Sequence, residues 1–187
     1  MMKLLRRPIS LLAFSCIVSI GTLLIYNLPF FDYVANNTNE STGGRIFLLA
    51  SLVVIMLAVN FMMTYLVMYL TRFVGRILLA ILSIINATAL YFIITYNVII
   101  DDTTIKNVFN TRYSEASGFF SGSLWLFILV VGVLPALWCL LQPMVVGKAK
   151  KMGIWCGSSL ALVLAIVLAN INQTLWISQH DTELGIA

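Results

Sequence analysis

The chain has 187 residues, of which 61% are hydrophobic and 10% charged; its mean hydropathy is +1.01. A soluble globular domain carries about 25% charged residues, so that class is excluded, and long uncharged apolar runs identify a polytopic integral membrane protein. The net charge of +4 does not point to nucleic acid, because the basic residues form short clusters beside apolar segments, the orientation signal of a membrane protein.

The chain opens on "MMKLLRRPISLLAFSCIVSIGTLLIYNL", a basic head followed by an apolar run. The run is too long for the apolar region of a signal peptide, and no small-x-small cleavage site follows. It reads as an uncleaved first transmembrane helix over about 10–28. A polar outer loop is expected over 29–45, then a second span over 46–70. "TRFVGR" joins it to a third span over 77–100, which makes a tight antiparallel hairpin. After a polar loop over 101–122, a fourth span runs over 123–142 and a fifth over 153–173. Pro135 falls inside the fourth span and predicts a kink, since neighbouring groups in a membrane bundle can satisfy the carbonyl that a proline leaves free. The expected fold is all-α: one transmembrane domain of five helices over 1–187, with an amphipathic interfacial helix on the outer surface between the third and fourth.

Orientation follows from lysine and arginine. Lys3, Arg6, Arg7, Arg72, Arg76, Lys148, Lys150 and Lys151 fall on one side, whereas Arg45, Lys106 and Arg112 fall on the other with every Asp and Glu. The amino terminus is expected in the cytoplasm and the carboxyl terminus outside. No internal repeat is visible, and the spans hold no Asp, Glu, Lys or Arg away from their ends. Transporter, pump and channel are therefore disfavoured.

Cys16, Cys139 and Cys156 lie within apolar runs and read as packing thiols. No C-x-x-C and no His/Cys cluster occurs, and the one histidine, His180, is in the tail. This chain by itself offers no zinc site, which needs three or four ligands. "GIWCG" (Gly153 to Gly157) has the spacing that lets membrane helices approach closely, and is read as intramolecular packing. Trp125, Trp138, Trp155 and Trp176 fall near span ends, as interfacial anchors do.

The 101–122 loop is long and charged for a connector. Its apolar residues Ile105, Val108, Phe109, Ala116, Phe119 and Phe120 follow a helical period. Asn107, Thr111 and Glu115 are spaced i, i+4, i+8 and stack on one helical face. Asp101 or Asp102 suits the helix start, where a carboxylate caps free N–H groups and meets the positive end of the dipole. The pattern describes a short amphipathic helix lying on the bilayer. Two readings follow. Either the helix only anchors the loop, or Asn107, Thr111 and Glu115 contact a lipid headgroup, with Glu115 suited to an ammonium group.

The residues Ile100-Asp101, Ile105, Asn107-Val108, Thr111 and Glu115-Ala116 read as "ID…I.NV..T…EA". This pattern resembles the corresponding segment of bacterial phosphoethanolamine–lipid A transferases, the family that includes mobile colistin-resistance enzymes. "YNLPFF" (Tyr26 to Phe31) resembles that family's first outer loop, and "GVLPALW" (Gly132 to Trp138) its fourth span.

The resemblance implies an inner-membrane protein of Gram-negative bacteria that takes part in moving phosphoethanolamine from phosphatidylethanolamine to lipid A or lipopolysaccharide. It implies that Asn107 and Glu115 help bind the donor lipid, with Thr111 carried by its place in the stripe. It places catalysis in a soluble, sulfatase-like, zinc-dependent domain after the fifth span. This chain stops at Ala187 without that domain, so no catalysis and no cofactor are expected of it alone. The tail "NINQTLWISQHDTELGIA" departs from the family pattern and leaves the acceptor open between lipid A phosphate, Kdo and core heptose. The alternative to a transferase membrane domain is a stand-alone, non-enzymatic scaffold or lipid-binding module.

Overall fold

The structure, a computed structural model, describes residues 7–38, 42–96, 122–147 and 149–170. Helix α1 (Leu11–Tyr26) begins at Ser10, whose hydroxyl caps it by accepting from the Ala13 N–H at 3.1 Å. It stops at Asn27, and α2 (Leu28–Asn37) leaves at 56°. The break has a local cause. Pro29 lacks the N–H that would bond the Ile25 carbonyl, and its ring restricts the residue before it. The segment expected as an outer loop over 29–45 is therefore helical in its first part, with Val34 of α2 fully buried against Leu48 and Leu52. Polar Asp32, Asn36 and Asn37 suggest a loop, but the apolar side formed by Phe30, Phe31 and Val34 gives α2 a face to bury.

Helix α3 (Thr42–Thr71) runs unbroken for 30 residues, about 45 Å at 1.5 Å per residue. Helix α4 (Phe73–Tyr96) follows after a single residue, Arg72, whose φ of 43° lies in the left-handed region. That conformation costs an L-residue about 1–2 kcal/mol. Its reward is a turn tighter than the predicted hairpin, with the two helices so close that a Cβ on Gly75 would stand 2.8 Å from Thr71 Oγ1.

The fourth span has three parts: α5 (Gly122–Phe127), a π-helical segment (Ile128–Val133) and α6 (Leu134–Leu141). The last helix, α7 (Ala149–Ala169), packs along α3. Four helices are each long and apolar enough to cross a bilayer, and the bent α1–α2 pair completes five when it is taken as one span. The expected all-α, multi-pass architecture is the one observed. The interfacial helix expected between the third and fourth spans lies outside the described residues.

The helices pack in two groups. Helix α3 lies between α1 and α7, while α4 packs against the π segment and α6. At the end that carries the α3–α4 turn, Leu11 and Phe14 meet Tyr65, Met68 and Cys139 in a buried cluster, and Phe14 stacks on Trp138 at 5.4 Å. Trp138 is thus partly buried against this cluster. A two-residue parallel pairing of β1 (Ile9–Ser10) with β2 (Met144–Val145) closes this end. Gln142 Nε2 reinforces it by donating to the Arg7 carbonyl at 2.9 Å.

On α7 the expectation for the glycine pair is not met. Gly153 and Gly157 are exposed, and nothing lies within 4 Å of a Cβ built on either. Helix α7 meets α3 through another face, where buried Asn170 donates to Ser51 Oγ at 3.1 Å. Spacing establishes that small residues share one face of a helix, and only packing decides whether that face is inward.

Candidate functional site

The proline of the fourth span organises the interior. Pro135 has no N–H for the Val131 carbonyl four residues before it, and the helix has already widened: the Leu134 N–H bonds Leu129 O, five residues back. The Val131 carbonyl so released needs a donor, since an unpaired one in hydrocarbon costs several kcal/mol. Tyr26, the last residue of α1, donates its hydroxyl to Val131 O at 2.7 Å. Ser83 of α4 donates to Gly132 O at 3.0 Å, and the two hydroxyl oxygens lie 2.9 Å apart. Three helices are thereby joined at one polar node inside the bundle. The approach is close because residue 132 is glycine: a Cβ there would sit 3.0 Å from Ala87 Cβ and 3.3 Å from Ile84 Cα.

Beside the node lies a cleft of about 490 Å³, walled by α1, α3, α4 and α6. Its lining is almost wholly apolar, with Thr22 and Tyr26 from α1, Asn60 and Thr64 from α3, and Ser83 and Asn86 from α4 as the polar exceptions. The sequence reading searched the spans for charges and passed over these neutral groups. The two asparagines were its available signal, because a carboxamide inside a span needs a partner in the same way a charge does.

The sequence-predicted residues Asn107, Thr111 and Glu115, with Asp101 and Asp102, lie outside the described residues. The structure does place the two stems of the segment that carries them. Near the end of α4 the Tyr91 hydroxyl is 2.9 Å from Ser123 Oγ at the start of α5, and the Tyr91 ring meets Phe127 at 5.6 Å. The end of α4 and the start of α5 therefore meet at one place on the bundle, at the end remote from the Arg72 turn.

Among the described residues no three His, Cys, Asp or Glu side chains come together as metal ligands. The only described carboxylate is Asp32, and the three cysteines are free thiols on α1, α6 and α7. This donor set does not fit zinc, and no chemical step is assigned to a metal here.

Comparison with known proteins decides the family. The family model of phosphoethanolamine transferases EptA/EptB matches residues 55–186. The chain belongs to this family. Phosphoethanolamine transferase EptA of Helicobacter pylori is 28% identical over 179 residues, which is 96% of this chain and 33% of the relative. EptA of Escherichia coli K12 is 28% identical over 147 residues, 75% of this chain and 26% of the relative. The integral membrane lipooligosaccharide phosphoethanolamine transferase A of Neisseria meningitidis superposes with a TM-score of 0.80 at 18% identity, covering 97% of this chain and 34% of that one. The chain thus spans about a third of the length of the relatives it matches, and it corresponds to the membrane domain of an EptA/EptB transferase.

Proposed function

We propose that this membrane domain anchors a phosphoethanolamine transferase and holds its donor lipid, phosphatidylethanolamine, at the outer surface for transfer to lipid A or to the lipopolysaccharide core. Asn107, Thr111 and Glu115 face the headgroup, with Glu115 accepting from the ammonium group. Membership of the EptA/EptB family carries this reading. The tie between Tyr91 and Ser123 supports it, because it fixes both stems of the donor loop to one patch of the bundle. Transfer itself belongs to a zinc-dependent domain after the fifth span. The protein resides in the bacterial inner membrane with its amino terminus in the cytoplasm and its carboxyl terminus in the periplasm. In support, Arg7, Arg72, Arg76, Lys150 and Lys151 lie at helix ends on one side of the bundle, whereas Arg45 lies in the first turn of α3 at its other end.

Lipid retention in nanodiscs tests the reading. Native mass spectrometry of the wild type should show phosphatidylethanolamine retained about tenfold over phosphatidylglycerol, the worth of one charge-assisted hydrogen bond of about 1.5 kcal/mol. Asn107→Ala/Glu115→Ala should abolish the difference. Equal retention of both lipids by the wild type would leave the domain as an anchor or stand-alone scaffold and move donor recognition elsewhere.

A further inference from the structure

The cleft beside the polar node holds two carboxamides that its walls do not satisfy. Asn60 and Asn86 both line it, and neither makes a hydrogen bond to another described residue. They stand at one depth. Asn60 precedes the Arg72 turn by 12 residues (72 − 60) and Asn86 follows it by 14 (86 − 72). At 1.5 Å per residue they lie about 18 and 21 Å from the turn, inside a hydrocarbon core of about 30 Å. A carboxamide presents two N–H donors and an acceptor. Leaving these unpaired in hydrocarbon is unfavourable, so the pair points to a ligand with a polar atom at that depth.

The mouth of the cleft identifies its surroundings. Ile17, Met63, Leu78, Ile81 and Leu82 line it and are also among the large apolar side chains exposed on the outside of the bundle. The cleft therefore opens sideways to lipid rather than upward to water. Its volume falls within the range of ligand sites, about 300–1,000 Å³, that are mostly apolar with a few placed polar groups.

We propose that this cleft is a binding site for one acyl chain of a membrane lipid, and that Asn60 and Asn86 select a chain that bears a hydrogen-bonding oxygen, a hydroxyl or carbonyl, along its length. The apolar walls of α1, α3, α4 and α6 take up the methylene chain. The two carboxamides donate to and accept from the oxygen. Gly21 lines the same cleft, and a Cβ built on it meets nothing within 4 Å. A larger side chain at that position enters the space the acyl chain would occupy.

No residue of 101–122 is among those that form this site, so its test holds the headgroup constant. The purified chain is placed in nanodiscs doped with phosphatidylcholine carrying either stearoyl or mid-chain hydroxystearoyl tails, and lipid retention is read by native mass spectrometry. The wild type should retain the hydroxylated lipid about tenfold over the plain one, as two intramembrane hydrogen bonds allow. Asn60→Leu/Asn86→Leu should lower that ratio to about one while plain-tail retention persists. Gly21→Leu, a change that favours the helix, should remove retention of both. Equal retention of the two lipids by the wild type would overturn the selection by Asn60 and Asn86. Undiminished retention by Gly21→Leu would overturn the site itself. Neither result bears on headgroup preference, which Asn107→Ala/Glu115→Ala reads separately.

Discussion

Gly132→Leu should lower the stability of the membrane domain by about 1–3 kcal/mol or more, the range for forcing extra methylenes into a packed interior. The cost arises because the nearest obstacles cannot swing aside. A Cβ on residue 132 would stand 3.0 Å from Ala87 Cβ and 3.3 Å from the Ile84 backbone, with the Ser83 carbonyl at 3.6 Å. Ala87 is itself fully buried. Helix α4 and the π segment must therefore part, and the Ser83 bond to the Gly132 carbonyl lengthens with them. Gly157→Leu is the control, since nothing lies within 4 Å of its Cβ. It should keep or raise stability, by up to about 1 kcal/mol from helix propensity. Thermal midpoints in detergent would compare the two. Equal midpoints would mean that α4 and the fourth span do not approach as described.

Tyr26→Phe should cost about 1–2 kcal/mol, because it strands the Val131 carbonyl that Pro135 cannot serve. The ring is kept, so the loss isolates the hydroxyl and its bond of 2.7 Å. A double-mutant cycle with Pro135→Ala gives the sharper result. Alanine at 135 restores a backbone N–H four residues after Val131, and this donor can take the place of the tyrosine hydroxyl. In the Pro135→Ala background, Tyr26→Phe should then cost less than about 0.5 kcal/mol, a coupling well outside the additivity of independent sites. Additive effects in equilibrium unfolding would show that the tyrosine does not act by satisfying the proline's orphan carbonyl. The same cycle explains why α1 ends where it does. Its last side chain is fixed to the fourth span, and the chain must bend beyond it at Asn27 and Pro29.

The two variants bear on function through the donor loop. The fourth span carries both the π segment and Ser123, which faces Tyr91 at the root of the loop. Movement of this span on α4 would shift one stem against the other. In a longer family member, Gly132→Leu should thus impair activity by way of these stems. A transfer assay showing full activity would confine the effect of this glycine to stability.

The membrane class, the span count and the gathering of basic residues at one side were legible in the sequence, because each follows from properties summed along a run of twenty residues. An apolar run of that length has one stable outcome in a bilayer, and lysine and arginine mark its ends wherever the helices go. A disturbance of the helix at Pro135 was legible for the same reason, as a missing N–H is a property of one residue, and it takes the form of a π-helical segment over Ile128–Val133. The identity of the groups that answer it was not. Tyr26 lies 105 residues from Val131 and 57 from Ser83, and no local pattern connects them. Helix α2 escaped notice because its apolar side is only a few residues wide, and it becomes evident once Val34 is buried on α3. The outward face of Gly153 and Gly157, the stacking of Trp138 on Phe14 and the meeting of Asn60 with Asn86 in one cleft are likewise decisions of packing. Sequence periodicity assigns residues to a helical face, but the rotation of each helix is fixed only when buried contacts and hydrogen bonds from distant helices compete for that face.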